Sequence, residues 1–216
     1  MNIIFGSASG IGKEVYNIYK SKNLDVFGID KVDSDSTDYL FDLNNIEKIV
    51  NINEEIKNFD ISSITFSAAS QDNSVSLSNT FNTNLLTFIE FLNQNKTKLN
   101  NCVVCAISSV HAVSSNTQNL YYSSSKAALE AAMRNLALNK SNNSYYVIRL
   151  GATDTQKLRE NIPNLESISS ILPNSKIFSK EEVSKFIFTL NSQFKNLLNG
   201  AVLQIDNGVL SMLKTD

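Results

Sequence analysis

A glycine-rich turn near the start of the chain is the feature that most constrains its fold. The apolar run from Asn2 to Phe5 predicts a short strand, and the segment GSASGIG, from Gly6 to Gly12, follows it directly. Apolar residues at helical spacing come next, so the turn joins a strand to a helix. Glycines permit a tight turn, and a helix N-terminus offers free N–H groups and a positive dipole end to a pyrophosphate. The pattern predicts a dinucleotide site.

An acidic residue supports the same prediction. The segment Leu24–Ile29 predicts a second strand, and Asp30 ends it. A carboxylate at that place accepts hydrogen bonds from the adenosine ribose and repels a 2′-phosphate, which favours NAD. Lys31 lies next to it, so NADP stays open as the alternative.

Strand-like and helix-like segments alternate along the rest of the chain. Further strands are predicted at Tyr39–Phe41, Ile61–Ser67, Cys102–Ile107, Tyr145–Leu150 and Ala201–Ile205, and helices at Asn44–Ile56, Thr80–Leu92, Tyr122–Leu138 and Glu181–Leu190. This alternation predicts an α/β fold: a Rossmann-type, doubly wound parallel sheet of about seven strands with helices on both faces. We expect one domain over residues 1–216, with the less regular segment Gly151–Ser179 as a substrate lid.

Composition narrows the classes of partner. The net charge of −2 is scattered and forms no basic stripe, so no nucleic acid is expected. The sequence has no apolar run near 18 residues and no evident signal peptide, so we expect a cytoplasmic protein with no membrane span. Cys102 and Cys105 are three residues apart in a predicted strand and would point to opposite faces. They are interpreted as buried residues, and no metal site is expected.

A tyrosine and a lysine one helical turn apart form the candidate catalytic pair. Tyr122 and Lys126 share a face of the predicted helix, so the phenol and the ammonium can address one site. A nearby cation favours a phenolate, which makes the pair suitable for acid/base work on an alcohol or ketone. Tyr121 is the competing tyrosine, but Ser125 follows it four residues later and supplies no charge.

Taken together, the glycine segment and Tyr122-x-x-x-Lys126 resemble the short-chain dehydrogenase/reductase family, in its classical form. Other segments resemble it in the expected order, namely Asp42-Leu43, Thr83-Asn84-Leu85, Ile107-Ser108-Ser109, Gly151 to Thr155 and Asp206-Asn207-Gly208. Departures are Phe5 before the first glycine, Ser67–Ser70 after the fourth strand, and Leu150 before Gly151.

The resemblance implies an NAD(H)-dependent oxidoreductase that interconverts a small-molecule secondary alcohol and a ketone. It implies that Tyr122 exchanges the proton, that Lys126 lowers the pKa of Tyr122 and binds the nicotinamide ribose, and that Ser109 hydrogen-bonds the substrate oxygen. Asn84 would hold a water that links Lys126 to solvent. His111 either contacts substrate beside Ser109 or is a loop histidine without a special role.

The resemblance also implies the cofactor site and the assembly. The cofactor-binding residues would be Gly6, Ser9, Gly10, Ile11, Gly12, Asp30, Asp42, Leu43, Ala68, Ala69, Tyr122, Lys126, Gly151 and Thr155, and the substrate residues Ser109, His111 and Tyr122. The two long central helices would pair with a second copy in a homodimer or homotetramer. The alternatives are a catalytically silent dinucleotide-binding regulatory protein of the same fold and, less favoured by the glycine spacing, a sugar epimerase or dehydratase.

Overall fold

Parallel strands form the centre of the structure, a computed structural model that describes residues 1–72, 74–114, 119–162, 164–170 and 172–212. Within those ranges a seven-stranded sheet has the order β3-β2-β1-β4-β5-β6-β9, and β7 and β8 form a separate pair. The strands are β1 Asn2–Phe5, β2 Val26–Asp30, β3 Tyr39–Leu40, β4 Ser63–Phe66, β5 Val103–Ser109, β6 Ser144–Leu150, β7 Thr153–Asp154, β8 Phe178–Ser179 and β9 Val202–Ile205. The predicted doubly wound parallel fold is confirmed.

Helices cover both faces of the sheet. They are α1 Gly10–Ser21, α2 Ile49–Glu55, α3 Leu77–Phe81, α4 Thr87–Asn95, α5 Leu120–Leu136, α6 Gln156–Asn161, α7 Leu165–Ser169, α8 Lys180–Gln193 and α9 Val209–Met212. Apolar side chains of α1 and α8 pack on one face, and those of α2, α4 and α5 pack on the other. Within the described ranges no helix is both long enough and apolar enough to span a membrane.

The two faces have separate apolar cores because the central strands are buried on both sides. Phe5 makes edge contacts with Phe66 and Phe88, and the Phe66 and Phe88 rings stack at 4.1 Å. Cys102 lies in this core and Cys105 in the opposite one, as their spacing predicts. Burial raises the pKa of both thiols to about 12.

The connection from β2 to β3 is a short link, and residues 31–38, all of them described, contain no helix. Polar contacts hold this short link in place. The buried Ser36 hydroxyl donates to the Ser7 carbonyl over 2.7 Å, and the Asp38 carboxylate accepts from the Gly28 amide over 2.8 Å. Gly28 is needed there because a Cβ would lie 2.0 Å from the Ser36 carbonyl oxygen.

Other differences concern segment limits. The predicted helix Thr80–Leu92 is part of a longer helical segment from Leu77 to Asn95, interrupted by a π-helical turn over Asn82–Leu86. The predicted strand Cys102–Ile107 extends to Ser109, so both serines belong to β5. Gly151–Ser179 is more regular than expected, since its described part contains α6, α7 and the β7–β8 pair.

Candidate active site

The glycine turn lies where the strand order reverses, between β1 and β4. A crevice at the carboxyl ends of the strands is expected at such a point. The backbone is tightly packed there, because a Cβ on Gly6 would lie 2.5 Å from the Ala68 nitrogen, and one on Gly12 would lie 2.0 Å from the Gly6 oxygen. Ala68 is half-buried against the core and Ala69 is exposed. Gly6 thus allows direct backbone contact between the glycine turn and the loop after β4, and Gly12 allows close packing within the turn itself.

The N-terminus of α1 opens on a cavity of about 630 Å³. Ser9, the N-cap residue, makes no side-chain capping hydrogen bond within the described part of the chain. Gly10 has a φ of +56°, and a Cβ there would meet only the Thr155 side chain, at 3.6 Å. Residues that line the cavity are Ala8, Ser9, Gly10, Lys13, Glu14, Asp154, Thr155, Gln156, Arg159, Ser179, Lys180 and Glu181. Uncapped amides beside a cavity suit an anionic group, so this end fits a dinucleotide pyrophosphate.

Three cationic side chains at this cavity are held by carboxylates. Lys13 pairs with Asp35 at 2.6 Å, Arg159 with Asp154 at 2.6 Å, and Lys180 with Glu14 at 2.7 Å. Hydrogen bonding between them raises the pKa of the Arg159 guanidinium and lowers the pKa of the Asp154 carboxyl. The cavity therefore combines amide donors with balanced side-chain charge.

The predicted adenosine residues lie at the same sheet edge. The half-buried Asp30 carboxylate accepts hydrogen bonds of 3.0 Å from the amides of Ala8 and Val32, so it contacts the glycine turn. Asp42 caps its own turn by accepting from the Asn44 amide over 2.9 Å. Leu43 is buried, and its carbonyl accepts from the Thr87 hydroxyl.

Tyr122 and Lys126 both lie on α5 and are both buried, with 7% and 2% of their surfaces exposed. The Lys126 ammonium donates to the Ile107 carbonyl over 2.8 Å and lies 5.8 Å from the centre of the Tyr122 ring. Because Ile107 is near the carboxyl end of β5, the pair lies at the same sheet edge as the glycine turn.

Burial changes the acid/base properties of this pair. Desolvation lowers the pKa of Lys126 to about 7, although the Glu130 carboxylate opposes this. Desolvation also raises the pKa of Tyr122, against the effect of hydrogen bonding to Ser109 and Gln71. This direction differs from the lowered pKa that the sequence predicts for Tyr122, because desolvation of the phenol outweighs the effects that favour the phenolate.

The tyrosine has two further neighbours. The His111 ring lies edge-on to the Tyr122 ring at 6.2 Å, and the His111 amide donates to the Ser109 hydroxyl. Among the described residues the buried His111 Nδ1 has no hydrogen-bond partner, and burial lowers the histidine pKa. Gln71 was not predicted from the sequence. It lies in the loop after β4, and Asn161 of α6 donates to it over 3.4 Å.

Asn84 occupies the π-helical turn and is fully buried. Its amide group donates to the Ser70 carbonyl and to the Ser125 hydroxyl, and its oxygen accepts from the Ser70 amide over 2.6 Å. The side chain therefore fastens the loop after β4 to α5. Its predicted role in a proton relay stays a prediction.

Two residues after β6 complete the crevice. Gly151 packs against the chain at Asp206, since a Cβ there would lie 2.8 Å from the Asp206 Cα. Thr155 caps α6 by accepting from the Leu158 amide over 3.3 Å, and its methyl group faces Gly10. Thr155 thus joins the start of the segment Gly151–Ser179 to the glycine turn.

Fold and crevice define a Rossmann-type α/β protein, and comparison with known proteins narrows the class. A family model described as enoyl-(acyl carrier protein) reductase matches residues 51–210, which is more than half of the chain. The chain belongs to the short-chain dehydrogenase/reductase family and is an oxidoreductase of that family. A search of curated proteins found no match.

Solved structures of family members superpose closely. A short-chain dehydrogenase family protein from Francisella tularensis has a TM-score of 0.86 at 21% identity, over 97% of this chain and 98% of that one. A 4-hydroxyisoleucine dehydrogenase complexed with NADH has a TM-score of 0.84 at 19% identity, over the same shares of the two chains. ElxO with NADP bound has a TM-score of 0.81 at 22% identity, again over 97% and 98%. At these identities the likeness shows the fold alone.

Proposed function

We propose that the protein is an NAD(H)-dependent oxidoreductase that interconverts a small secondary alcohol and the corresponding ketone, with Tyr122 as acid and base. One observation carries the proposal. The buried Tyr122–Lys126 pair, with Ser109 beside the phenol, lies at the sheet edge that also holds the glycine turn. A phenol, a hydroxyl and an amine around one point are the groups that carbonyl reduction needs.

Each side chain has a defined part in this proposal. Tyr122 gives its proton to the carbonyl oxygen in reduction and takes it back in oxidation, and Ser109 donates a hydrogen bond to the same oxygen. Lys126 in its charged form favours the phenolate of Tyr122. A bound nicotinamide supplies the hydride chemistry. The dinucleotide that carries the nicotinamide would be held by the glycine turn from Gly6 to Gly12 and by Asp30, Asp42, Leu43, Ala68, Ala69, Gly151 and Thr155.

Tyr122→Phe tests the catalytic assignment, with Tyr121→Phe as the matched control on the exposed side of the same helix. Loss of the phenol removes a general acid, so we expect kcat to fall by about 10²–10⁴-fold while NADH binding persists. Tyr121→Phe should keep wild-type turnover. Turnover by Tyr122→Phe within a few-fold of wild type would contradict the proposal.

The cofactor preference rests on charge around β2. The Asp30 carboxylate is fixed at the glycine turn, and Asp33 follows it on the exposed link to β3, whereas Asp35 is paired with Lys13. The Asp30 carboxylate disfavours a 2′-phosphate, so we propose NAD over NADP, although one neighbour binds NADH and another NADP. We expect tighter binding of NADH than NADPH in a fluorescence titration, and a smaller difference in Asp30→Asn. The reverse order in the wild type would refute the preference.

A second candidate function is a dinucleotide-binding regulatory protein without turnover. It is favoured by the raised pKa of Tyr122, which disfavours the phenolate, and by the lowering of the Lys126 pKa to about 7, which leaves only part of the amine charged near neutral pH. NADH binding without oxidation or reduction across a panel of alcohols and ketones would support this candidate against the enzyme.

We also propose a homodimer or homotetramer formed through the central helices. Leu77, Leu86 and Leu120 are 42–64% exposed on α3, the π-helical turn and α5. Pairing of these faces with a second copy would cover them. Sedimentation velocity should give at least twice the mass of 23.9 kDa for one chain. A single monomeric species at micromolar concentration would contradict it.

A further inference from the structure

A carboxylate lies buried on α5 one helical turn beyond Lys126. Glu130 has 2% of its surface exposed. Arg149 of β6 donates to both of its oxygens, from Nε to Oε1 over 2.9 Å and from Nη2 to Oε2 over 2.5 Å. The buried Ser108 hydroxyl of β5 donates to Oε1 over 2.8 Å. Three donors therefore fix the Glu130 carboxylate in place, one helical turn after the candidate catalytic lysine.

We propose that Glu130 is a positioning residue, held by Arg149, that favours the protonated form of the Lys126 amine at the carboxyl end of β5. The inference rests on the proposed function only for the use made of the charged Lys126. Neither Glu130 nor Arg149 is placed in contact with substrate or cofactor. Their effect reaches the reaction through the charge on Lys126.

The position of Glu130 makes it the main opposing charge for this amine. Residues four apart on a helix are neighbours, so the carboxylate of Glu130 and the amine of Lys126 share one buried face of α5. The attraction between them acts against the desolvation that lowers the lysine pKa. In a buried setting such an attraction is weakly screened by solvent.

Other charged groups around the lysine are few. The segment Leu77–Leu86, which packs against α5, has no titratable side chain. On α5 itself the other titratable group near the amine is Tyr122, and His111 lies beside that phenol. On the neighbouring strands the groups are Arg149 of β6, which pairs with Glu130, and Asp206 after β9, which interacts with Arg149. Arg149 and Glu130 partly offset each other, and Glu130, on the same helix as Lys126, is the member of the pair whose attraction raises the lysine pKa.

The ion pair is part of a network that crosses the sheet. Arg149 donates from Nη1 to the Gln204 side chain over 3.2 Å, and Gln204 donates to Asp206 over 3.0 Å. Asp206 in turn accepts from the amides of Gly208 and Leu210. The orientation of Glu130 is thus fixed by β5, β6 and β9 together. A purely structural role for this network would affect stability without changing the titration of Lys126.

The decisive measurement is the titration of Lys126 in the cofactor-free protein. Lysine labelled with ¹³C at Cε reports the pKa of each amine by NMR, and Lys126→Arg identifies the resonance. We expect Glu130→Gln to lower the Lys126 pKa by about one pH unit or more, because an attractive charge is removed and Arg149 is left unbalanced. Glu130→Asp keeps the charge and should keep the Lys126 pKa within about half a unit, even where it lowers the melting temperature as much.

Two further variants complete the design. Arg134→Gln is the matched control, since Arg134 contacts Glu130 only at 3.9 Å from the solvent side and should leave the Lys126 titration unchanged. The double variant Glu130→Gln, Arg149→Met leaves no unpaired buried charge, so it keeps the test available if the single variant does not fold. It should shift the lysine pKa in the same direction as Glu130→Gln.

The outcome separates this inference from the proposed function. An unchanged Lys126 pKa in Glu130→Gln, or in the double variant, would overturn the role of Glu130 whatever the turnover. Where the enzyme is active, the alkaline limb of its kcat/KM profile should move to lower pH in Glu130→Gln. A protein without any turnover but with the expected titration would contradict the enzyme assignment and leave the effect of Glu130 on Lys126 standing.

Discussion

Replacement of Gly12 by alanine tests the packing on which the cofactor end depends. The new Cβ would lie 2.0 Å from the Gly6 carbonyl oxygen and 3.2 Å from the Ser67 hydroxyl. An ordinary contact begins near 3.4 Å, so the two backbone segments must separate by about 1.4 Å. Neither segment is a flexible side chain that can turn away. We therefore expect the free energy of unfolding to fall by about 3 kcal/mol, the upper end of the range for substitutions that overfill a packed site.

Thermal unfolding measures this cost. For a chain of this length 1 kcal/mol corresponds to a change of about 2–4 °C, so Gly12→Ala should lower the melting temperature by roughly 6–12 °C. The displaced turn should also lose NADH binding in a fluorescence titration. Both effects have the same origin, because the close approach of Gly12 to Gly6 shapes the turn.

Gly200→Ala is the control for a glycine substitution as such. Gly200 has a φ of +79°, and a Cβ there would meet only Ala137, at an ordinary 3.7 Å. The strain of a left-handed alanine should cost about 1–2 kcal/mol without an effect on NADH binding. If Gly12→Ala melted no lower than Gly200→Ala and bound NADH normally, the argument from the close contact would be wrong.

Three other predictions concern buried groups. Lys126→Met should raise the melting temperature most at pH 6 and progressively less towards pH 10. The reason is that the unfolded chain binds the lysine proton more tightly than the folded protein, whose Lys126 pKa is about 7. A gain in melting temperature that grew with pH would contradict this prediction. Cys102 and Cys105 should not react with Ellman's reagent at pH 8 until the protein is unfolded, since their pKa is about 12, and rapid labelling of the native protein would refute this. Ser36→Ala leaves the Ser7 carbonyl without its 2.7 Å donor and should lower the free energy of unfolding in urea by about 1–3 kcal/mol, whereas an unchanged midpoint would show that water replaces the hydroxyl.

The sheet could be predicted because its strands are short apolar runs bounded by polar residues. A strand buried on both faces needs such a run, and β1 matches its predicted limits while β4 and β6 lie within two residues of theirs. The link at residues 31–38 has no apolar periodicity to predict a helix, and it forms none. Its stability comes from the contact of Ser36 with the glycine turn and of Asp38 with β2, which local sequence does not specify.

The residues of the candidate site could likewise be predicted from the sequence only where local spacing determines their position. One helical turn places Tyr122 and Lys126 together wherever the helix packs, so their spacing alone predicts the pair. Gln71 and Arg149 come close to that pair only through the packing of α5 against β6 and the loop after β4, whereas Glu130 lies one helical turn beyond Lys126. The one available signal for Gln71 is a polar residue after a buried strand at the carboxyl edge of the sheet. Glu130 offers a similar signal, as a carboxylate four residues beyond the lysine.

The two pKa values at the site are shifted in opposite directions by one cause, and both shifts favour the uncharged form. Desolvation favours the neutral phenol of Tyr122 and the neutral amine of Lys126, so each group in isolation would be uncharged near pH 7. A neutral amine cannot favour a phenolate, and the proposed chemistry needs some opposing negative charge near the lysine. Within the described structure Glu130 supplies that charge, and its contacts with Arg149 and Ser108 prevent it from turning away. The Lys126 pKa of about 7 is therefore the balance between burial, which excludes water from the reacting groups, and the Glu130 carboxylate, which keeps the amine able to hold its proton.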